Sequence, residues 1–314
     1  MFLDAHFIVE QAARCEAGLF FNFNGTAGIW RRAALEQAGG WSADTVTEDL
    51  DLSYRAQLRG WRFVYLADYA VPSELPETIT AFKSQQRRWT KGGMQVARKQ
   101  LRTILASDQP ARIKREAAWH LCVGFVHPLL VAFSLLFVPY LLLVGARPEG
   151  WFWAVFNPLN LLVLGGGSVA FYVAGQYFRT REWREGALWL VLSPVAMAFG
   201  LAMSVTCTVA VIEGLATRGG EFVRTPKGGR AADARGLLRR LRSRTLVLAV
   251  TACELALGGL LLWGAFYWER MDSEYLAFVL SLKAAGYFLI AALTTRDLLP
   301  RRAAQDELPS PAAA

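Results

Sequence analysis

Five stretches of this chain are long, apolar and nearly free of charge, and they limit what it can fold into more than any other feature. Residues 117–145 and 151–178 contain no Asp, Glu, Lys or Arg. Residues 186–216 hold only Glu213, residues 245–268 only Glu254 and residues 275–295 only Lys283. About 20 such residues cross the hydrocarbon of a bilayer, and a buried soluble core does not supply five runs of this length. The chain reads as a soluble-looking front, up to about residue 116, joined to a membrane-embedded back.

Charge between the runs gives an orientation. Residues 87–116 carry nine Lys and Arg, and residues 217–244 carry nine against two acids, whereas residues 269–274 carry one Arg against three acids. Cationic loops stay in the cytoplasm, so the front and the 217–244 loop are expected there. Three full crossings between residues 117 and 216 would put that loop outside. One run must therefore be interfacial or double back, and residues 186–216, interrupted by Ser193-Pro194, are the candidate. The net charge of +8 also raises nucleic-acid binding as a rival, but the Arg clusters lie between apolar runs, which argues against it. Four Cys without a C-x-x-C pair and three His without H-E-x-x-H exclude a disulfide framework and the common zinc motifs.

In the front, residues 1–18 read as an amphipathic helix closed by Gly18, with Phe2, Ala5, Ile8 and Ala12 on one face. The chain starts there with no signal-peptide pattern, and the expectation is that further sequence belongs upstream. Leu19–Phe23 reads as a strand, Asn24-Gly25-Thr26 as a turn, and residues 29–38 as a short helix. Thr47 is an N-cap candidate, with Glu48 and Asp49 in the first helical turn, where the helix dipole favours acids. Leu50, Tyr54 and Leu58 then recur at spacing four. Residues 61–67 alternate as a strand does. Pro72 and Pro76 precede a basic, amphipathic helix from about residue 77 to 104, suited to a membrane surface.

Three groups can carry chemistry. Glu48 and Asp49 are adjacent carboxylates at a helix start, where one can stay ionised as a general base; the plainer reading is an ordinary acidic first turn. Gln85, Arg88 and Trp89 stand at i, i+3 and i+4 and share a helix face. There an Arg can clamp a diphosphate and a Trp can floor a sugar ring. The alternative is an interfacial Trp among snorkelling Arg side chains. Phe222-Val223-Arg224-Thr225-Pro226-Lys227 is, taken alone, a charged loop.

In this order the three groups, Thr47-Glu48-Asp49, then Gln85-x-x-Arg88-Trp89 36 residues later, then spans and the Phe222–Lys227 loop, resemble the processive family-2 glycosyltransferases, which include cellulose, hyaluronan and glucomannan synthases. Arg224 stands where that family often has Val. Residues 21–31, through Asn24-Gly25-Thr26, resemble the family's acceptor-side loop. The resemblance implies an α/β fold, the acceptor-side half of a GT-A domain, followed by an α-helical transmembrane bundle.

The domains implied are residues 1–110 for that half-domain with its interface helix, 111–216 for spans plus the interfacial or re-entrant segment, 217–244 for a basic cytoplasmic gating-type loop, 245–296 for two transmembrane helices, and 297–314 for a disordered tail. Asp49 would be the general base, supported by Glu48. Gln85, Arg88, Thr225 and Lys227 would bind the nucleotide diphosphate, and Trp89, Asn24, Gly25 and Thr26 the acceptor. The partners implied are a nucleotide sugar (UDP-glucose or GDP-mannose), a glycan acceptor and the bilayer, with the protein multi-pass in the plasma (inner) membrane.

The family's donor-side half, with a D-x-D that binds Mg or Mn, is not found in this sequence. Asp49-Leu50-Asp51 has the D-x-D form but lies within the acidic helix, and Asp51 reads as a solvent-facing or structural acid. The alternatives are a non-catalytic membrane remnant or channel subunit, or an enzyme that glycosylates a lipid in a single transfer. Glu254 and Lys283 inside the runs are expected to line a channel, pair with each other or snorkel.

Overall fold

The computed structural model describes residues 4–144, 158–220, 244–271 and 273–299. Among these residues the secondary structure is entirely helical. A π-helix, Ala5–Gln11, runs into α1 (Ala12–Glu16); α2 is Arg32–Gln37, α3 Glu48–Leu58 and α4 Ile79–Ala106. Beyond Pro110 come α5 (Ala111–Cys122), one 3-10 turn, α6 (Val126–Val144) and α7 (Pro158–Thr180). The last helices are α8 (Trp183–Ala216), α9 (Arg244–Arg270) and α10 (Glu274–Leu298).

The two expected strands are extended chain without a ladder. The physical reason lies in their partners. A strand is stabilised by the backbone of a neighbouring strand, whereas residues 21–25 find their hydrogen bonds on side chains of α3. Gln57 takes both the N–H and the carbonyl of Phe21, and Ser53 accepts the N–H of Phe23. Residues 63 and 65 lie against the same segment through edge-on contacts of Phe63 and Tyr65 with Phe21. The α/β expectation is therefore not borne out among the described residues, which form helices and extended segments.

Among the described residues, four helical stretches are long and apolar enough to cross a membrane: Ala111–Tyr140, Trp183–Ala216, Thr245–Arg270 and Glu274–Leu298. Ser193-Pro194 does not interrupt α8. Pro194 cannot donate to the carbonyl of Leu190, but the Ser193 hydroxyl does so at 2.8 Å, which satisfies the freed acceptor and lets the helix run on. At 34 residues α8 is about 51 Å long by its rise, well beyond the roughly 30 Å of hydrocarbon. Its C-terminal turns run on past the apolar core to pack on α4, where Arg98 bonds the carbonyls of Leu215 and Thr217.

The larger core lies among α6, α8, α9 and α10, around Val138, Ala202, Leu261, Leu280, Tyr287 and Ile290. Glu254 and Lys283 do not pair with each other there. Glu254 is fully buried and accepts two bonds from Lys83 of α4, at 2.7 and 2.8 Å. The ammonium of Lys283 lies over the rings of Phe133 and Phe137, 4.7 and 5.3 Å from their centroids, a cation–π arrangement.

Candidate active site at the head of helix α3

The site is assembled where α3 begins. Thr47 precedes the helix but its hydroxyl caps nothing; its side chain lies against α4, with the hydroxyl buried and unbonded. The two elements meet at Gly92, where a Cβ would fall 2.3 Å from Thr47 Cγ2. Only glycine allows α4 to approach the acidic triplet this closely.

Asp49 is held at both oxygens. Oδ1 accepts the N–H of Leu50 and Oδ2 the N–H of Gly25, each at 2.8 Å. Gly25 reaches it from a tight turn closed by the Ala27 N–H on the Asn24 carbonyl. Its φ of 61° is left-handed, which glycine adopts without strain. Asn22 donates to Asn24 Oδ1 at 2.7 Å and accepts from Gln11 at 2.9 Å, tying the turn to the N-terminal π-helix. The expected acceptor residues Asn24, Gly25 and Thr26 therefore stand directly beside the expected base.

Arg88 of α4 is half-buried. Burial pulls its pKa below the ordinary arginine value, while the charges of Asp49 and Glu48 push it back up. All three charged groups thus lie within electrostatic reach of one another, and the guanidinium stays protonated. Trp89, next along α4, is 39% exposed, whereas Gln85, one turn earlier, is buried. Thr225 and Lys227 lie outside the described residues. The chain leading to them is anchored close by: Gly219 donates to the Asp44 carbonyl at 2.6 Å, and Gln95 bridges the Gly219 carbonyl (2.7 Å) to the Val46 N–H (2.9 Å).

Asp51 is the structural acid of the two alternatives, and it does not face solvent. It is fully buried and bonded to Arg55, Lys99 and Gln100, each at 2.9 Å. Those donors fill its lone pairs and fasten α3 to α4. The residues present therefore do not fit a D-x-D metal centre, and among the described residues no cluster of three or more His, Cys, Asp or Glu can hold an ion.

Ser53, Gln57 and Gln95 escaped the sequence reading. Their signal was present: Asp49, Ser53 and Gln57 form a polar stripe at spacing four, beside the apolar stripe of Leu50, Tyr54 and Leu58. A polar stripe on a helix is ordinarily its wet face, yet Ser53 is fully buried and Gln57 is 5% exposed.

The pattern of the family described as Glycosyl transferase family group 2 matches residues 2–216. The chain is 30% identical over 317 residues to Glucomannan 4-beta-mannosyltransferase 1 of Oryza sativa subsp. japonica, covering 96% of this chain and 56% of that protein. It is 31% identical over 311 residues to Glucomannan 4-beta-mannosyltransferase 1 of Cyamopsis tetragonoloba, covering 96% and 55%. Over a shorter 163 residues it is 42% identical to Glucomannan 4-beta-mannosyltransferase 2 of Arabidopsis thaliana, covering 52% and 28%. The chain spans about half the length of the relatives it matches from end to end.

Proposed function

The chain belongs to glycosyl transferase family group 2, and from that membership and the geometry at the head of α3 we propose that it forms the acceptor side of an inverting, membrane-integrated β-glycan synthase. The observation that carries this reading is the meeting of Asp49 with the Gly25 amide of the Asn24-Gly25-Thr26 turn, within electrostatic reach of Arg88, from three separate segments.

In the proposed reaction the acceptor sugar lies on the exposed face of Trp89. Asp49, its carboxylate oriented by Gly25 and Leu50, takes the proton of the acceptor hydroxyl as that oxygen attacks the anomeric carbon. The new C–O bond forms opposite the bond to the nucleotide diphosphate, which leaves with the bonding electron pair and inverts the configuration. Arg88 offsets the charge of the departing diphosphate, with Gln85, Thr225 and Lys227 assigned beside it. Glu48 keeps the field at Arg88 negative before the donor arrives. The donor-side residues and the ligands for Mg or Mn are assigned to polypeptide outside these 314 residues, which the half-length match to the relatives supports. The relatives' names make GDP-mannose the first donor to try and UDP-glucose the second. The spans are assigned to the passage of the growing polymer across the plasma (inner) membrane, with the front on the cytoplasmic side.

The test is sugar-nucleotide turnover in lipid nanodiscs with Mg or Mn, by the chain alone and by the chain joined to a donor-side half bearing a D-x-D. β-Linked polymer from the joined protein supports the reading. Turnover by the chain alone refutes the division into halves. Polymer from neither leaves a non-catalytic membrane component.

A further inference from the structure

Residues 21–25 are docked on α3 by an unusual match of two periodicities. The N–H groups of Phe21, Phe23 and Gly25 are accepted in turn by the side chains of Gln57 (3.1 Å), Ser53 (2.8 Å) and Asp49 (2.8 Å). Every second residue of an extended chain presents its N–H to the same side, and two residues advance roughly 6.6 Å. Every fourth residue of an α-helix returns to nearly the same face, and four residues advance about 6 Å. The stripe at 49, 53 and 57 therefore acts as a surrogate strand, running antiparallel to residues 21–25.

Two of its rungs are two-sided. The Ser53 hydroxyl accepts from Phe23 and donates to the carbonyl of Asp49 at 2.5 Å. The Gln57 amide also donates to the carbonyls of Phe21 (2.7 Å) and Ser53 (2.9 Å).

We propose that Ser53 and Gln57 are positioning residues for the reaction assigned to Asp49, setting the register that delivers the Gly25 amide to the carboxylate and places the acceptor-side turn above it. The inference rests on the reading of Asp49 as base. A slip by one residue along this stripe would turn the Gly25 N–H away, because alternate N–H groups face opposite sides. Asp49 would then lose the contact that fixes its rotamer, while α3 itself stayed intact. Ser53 and Gln57 are buried beneath the docked segment, so their action is on geometry alone.

The experiment uses the assay above with two added readouts. In Ser53→Ala, kcat is expected to fall by about 10- to 100-fold, the scale of an ångström-sized misplacement, with the KM for the nucleotide sugar unchanged. Ser53→Thr, which keeps the hydroxyl, is expected to restore most of that loss. Residue-resolved hydrogen exchange on the whole chain in nanodiscs is expected to show faster exchange in Ser53→Ala at Gly25 as well as Phe23, and in Gln57→Leu at Phe21 and Phe23. A Ser53→Ala enzyme with wild-type kcat, an equal loss in Ser53→Thr, or an unchanged Gly25 amide each overturns the proposal. Where the wild-type chain joined to its donor-side half shows no turnover, the base reading fails and the register is judged by exchange alone. Faster exchange at Gly25 upholds it and unchanged exchange overturns it.

Discussion

Helix α4 meets two neighbours in opposite ways. Toward α3 the contact is a shared network: Lys99 serves both Asp44 and Asp51, Asp51 serves Arg55, Lys99 and Gln100, and Gln95 serves the segments before and after it. Toward the spans the contacts are separate pairs. Lys83 meets Glu254 of α9, Arg87 meets Glu213 of α8, and Thr80 meets Asp297 of α10 at 3.0 Å. Within the network Lys99 keeps Asp44 if Asp51 is lost, and Arg55 keeps the carbonyls of Ala38 and Gly40. A buried one-to-one pair has no such fallback, because the survivor is left charged and unmatched. The side of α4 that faces α3 is thus built for redundancy, and the side that faces the bundle for all-or-none docking.

The largest effect should come from the bundle side. Glu254→Gln is expected to destabilise the protein by roughly 3–5 kcal/mol, and Lys83→Met combined with Glu254→Leu to be near neutral. Chemical unfolding in detergent, followed by tryptophan fluorescence, checks both. Equal losses in the single and double variants would break the contrast. On the network side, Asp51→Asn is expected to cost less, about 1.5–3 kcal/mol, since the amide keeps an acceptor for its neighbours. Gly92→Ala tests the close approach of α4 to Thr47: the inserted methyl is expected to cost roughly 1–3 kcal/mol and to lower turnover by moving Arg88 away from Asp49.

The smallest effect is a pH slope. Burial pushes the Glu10 carboxyl up, but the hydrogen bond and charge of His6, with His120 and Arg14 nearby, outweigh it and hold the pKa at about 2 against an ordinary 4.5. A depressed carboxylate contributes stability above its unfolded value and loses it as protons bind in the folded state. The contribution is therefore full above pH 4.5 and declines toward pH 2. Glu10→Gln should flatten the stability curve across that window, lowering stability above it, neutral pH included, and leaving it nearly unchanged near pH 2.

Much of this was legible in the sequence. The apolar runs required spans, Thr78 and Ser107 cap α4 within a few residues of where the pattern put its ends, and Gly18 closes the N-terminal helix with a left-handed φ. The order of Thr47-Glu48-Asp49 and Arg88-Trp89 suggested one site, and the fold brings Arg88 within electrostatic reach of Glu48 and Asp49 and Gly92 against Thr47. What escaped was tertiary pairing. Residues 19–23 carry a strand pattern, but only the fold shows that their hydrogen bonds go to a helix. Ser193-Pro194 carries a break signal, and only the hydroxyl's reach to Leu190 cancels it. Glu254 and Lys283 stand out as charges in apolar runs, yet the partner of Glu254 lies 171 residues away in sequence. A polar side chain announces that it needs a partner; the linear order of residues does not say which.

We propose that Asp49 and Asp51, two residues apart on one helix, do different work: the first as the base at the acceptor and the second as the tie between α3 and α4. Measuring polymer synthesis and unfolding together in Asp49→Asn separates the two. Asp49→Asn is expected to abolish glycan synthesis by the complete enzyme while its unfolding midpoint stays within error of wild type. Retained synthesis in Asp49→Asn would remove Asp49 from the role of base.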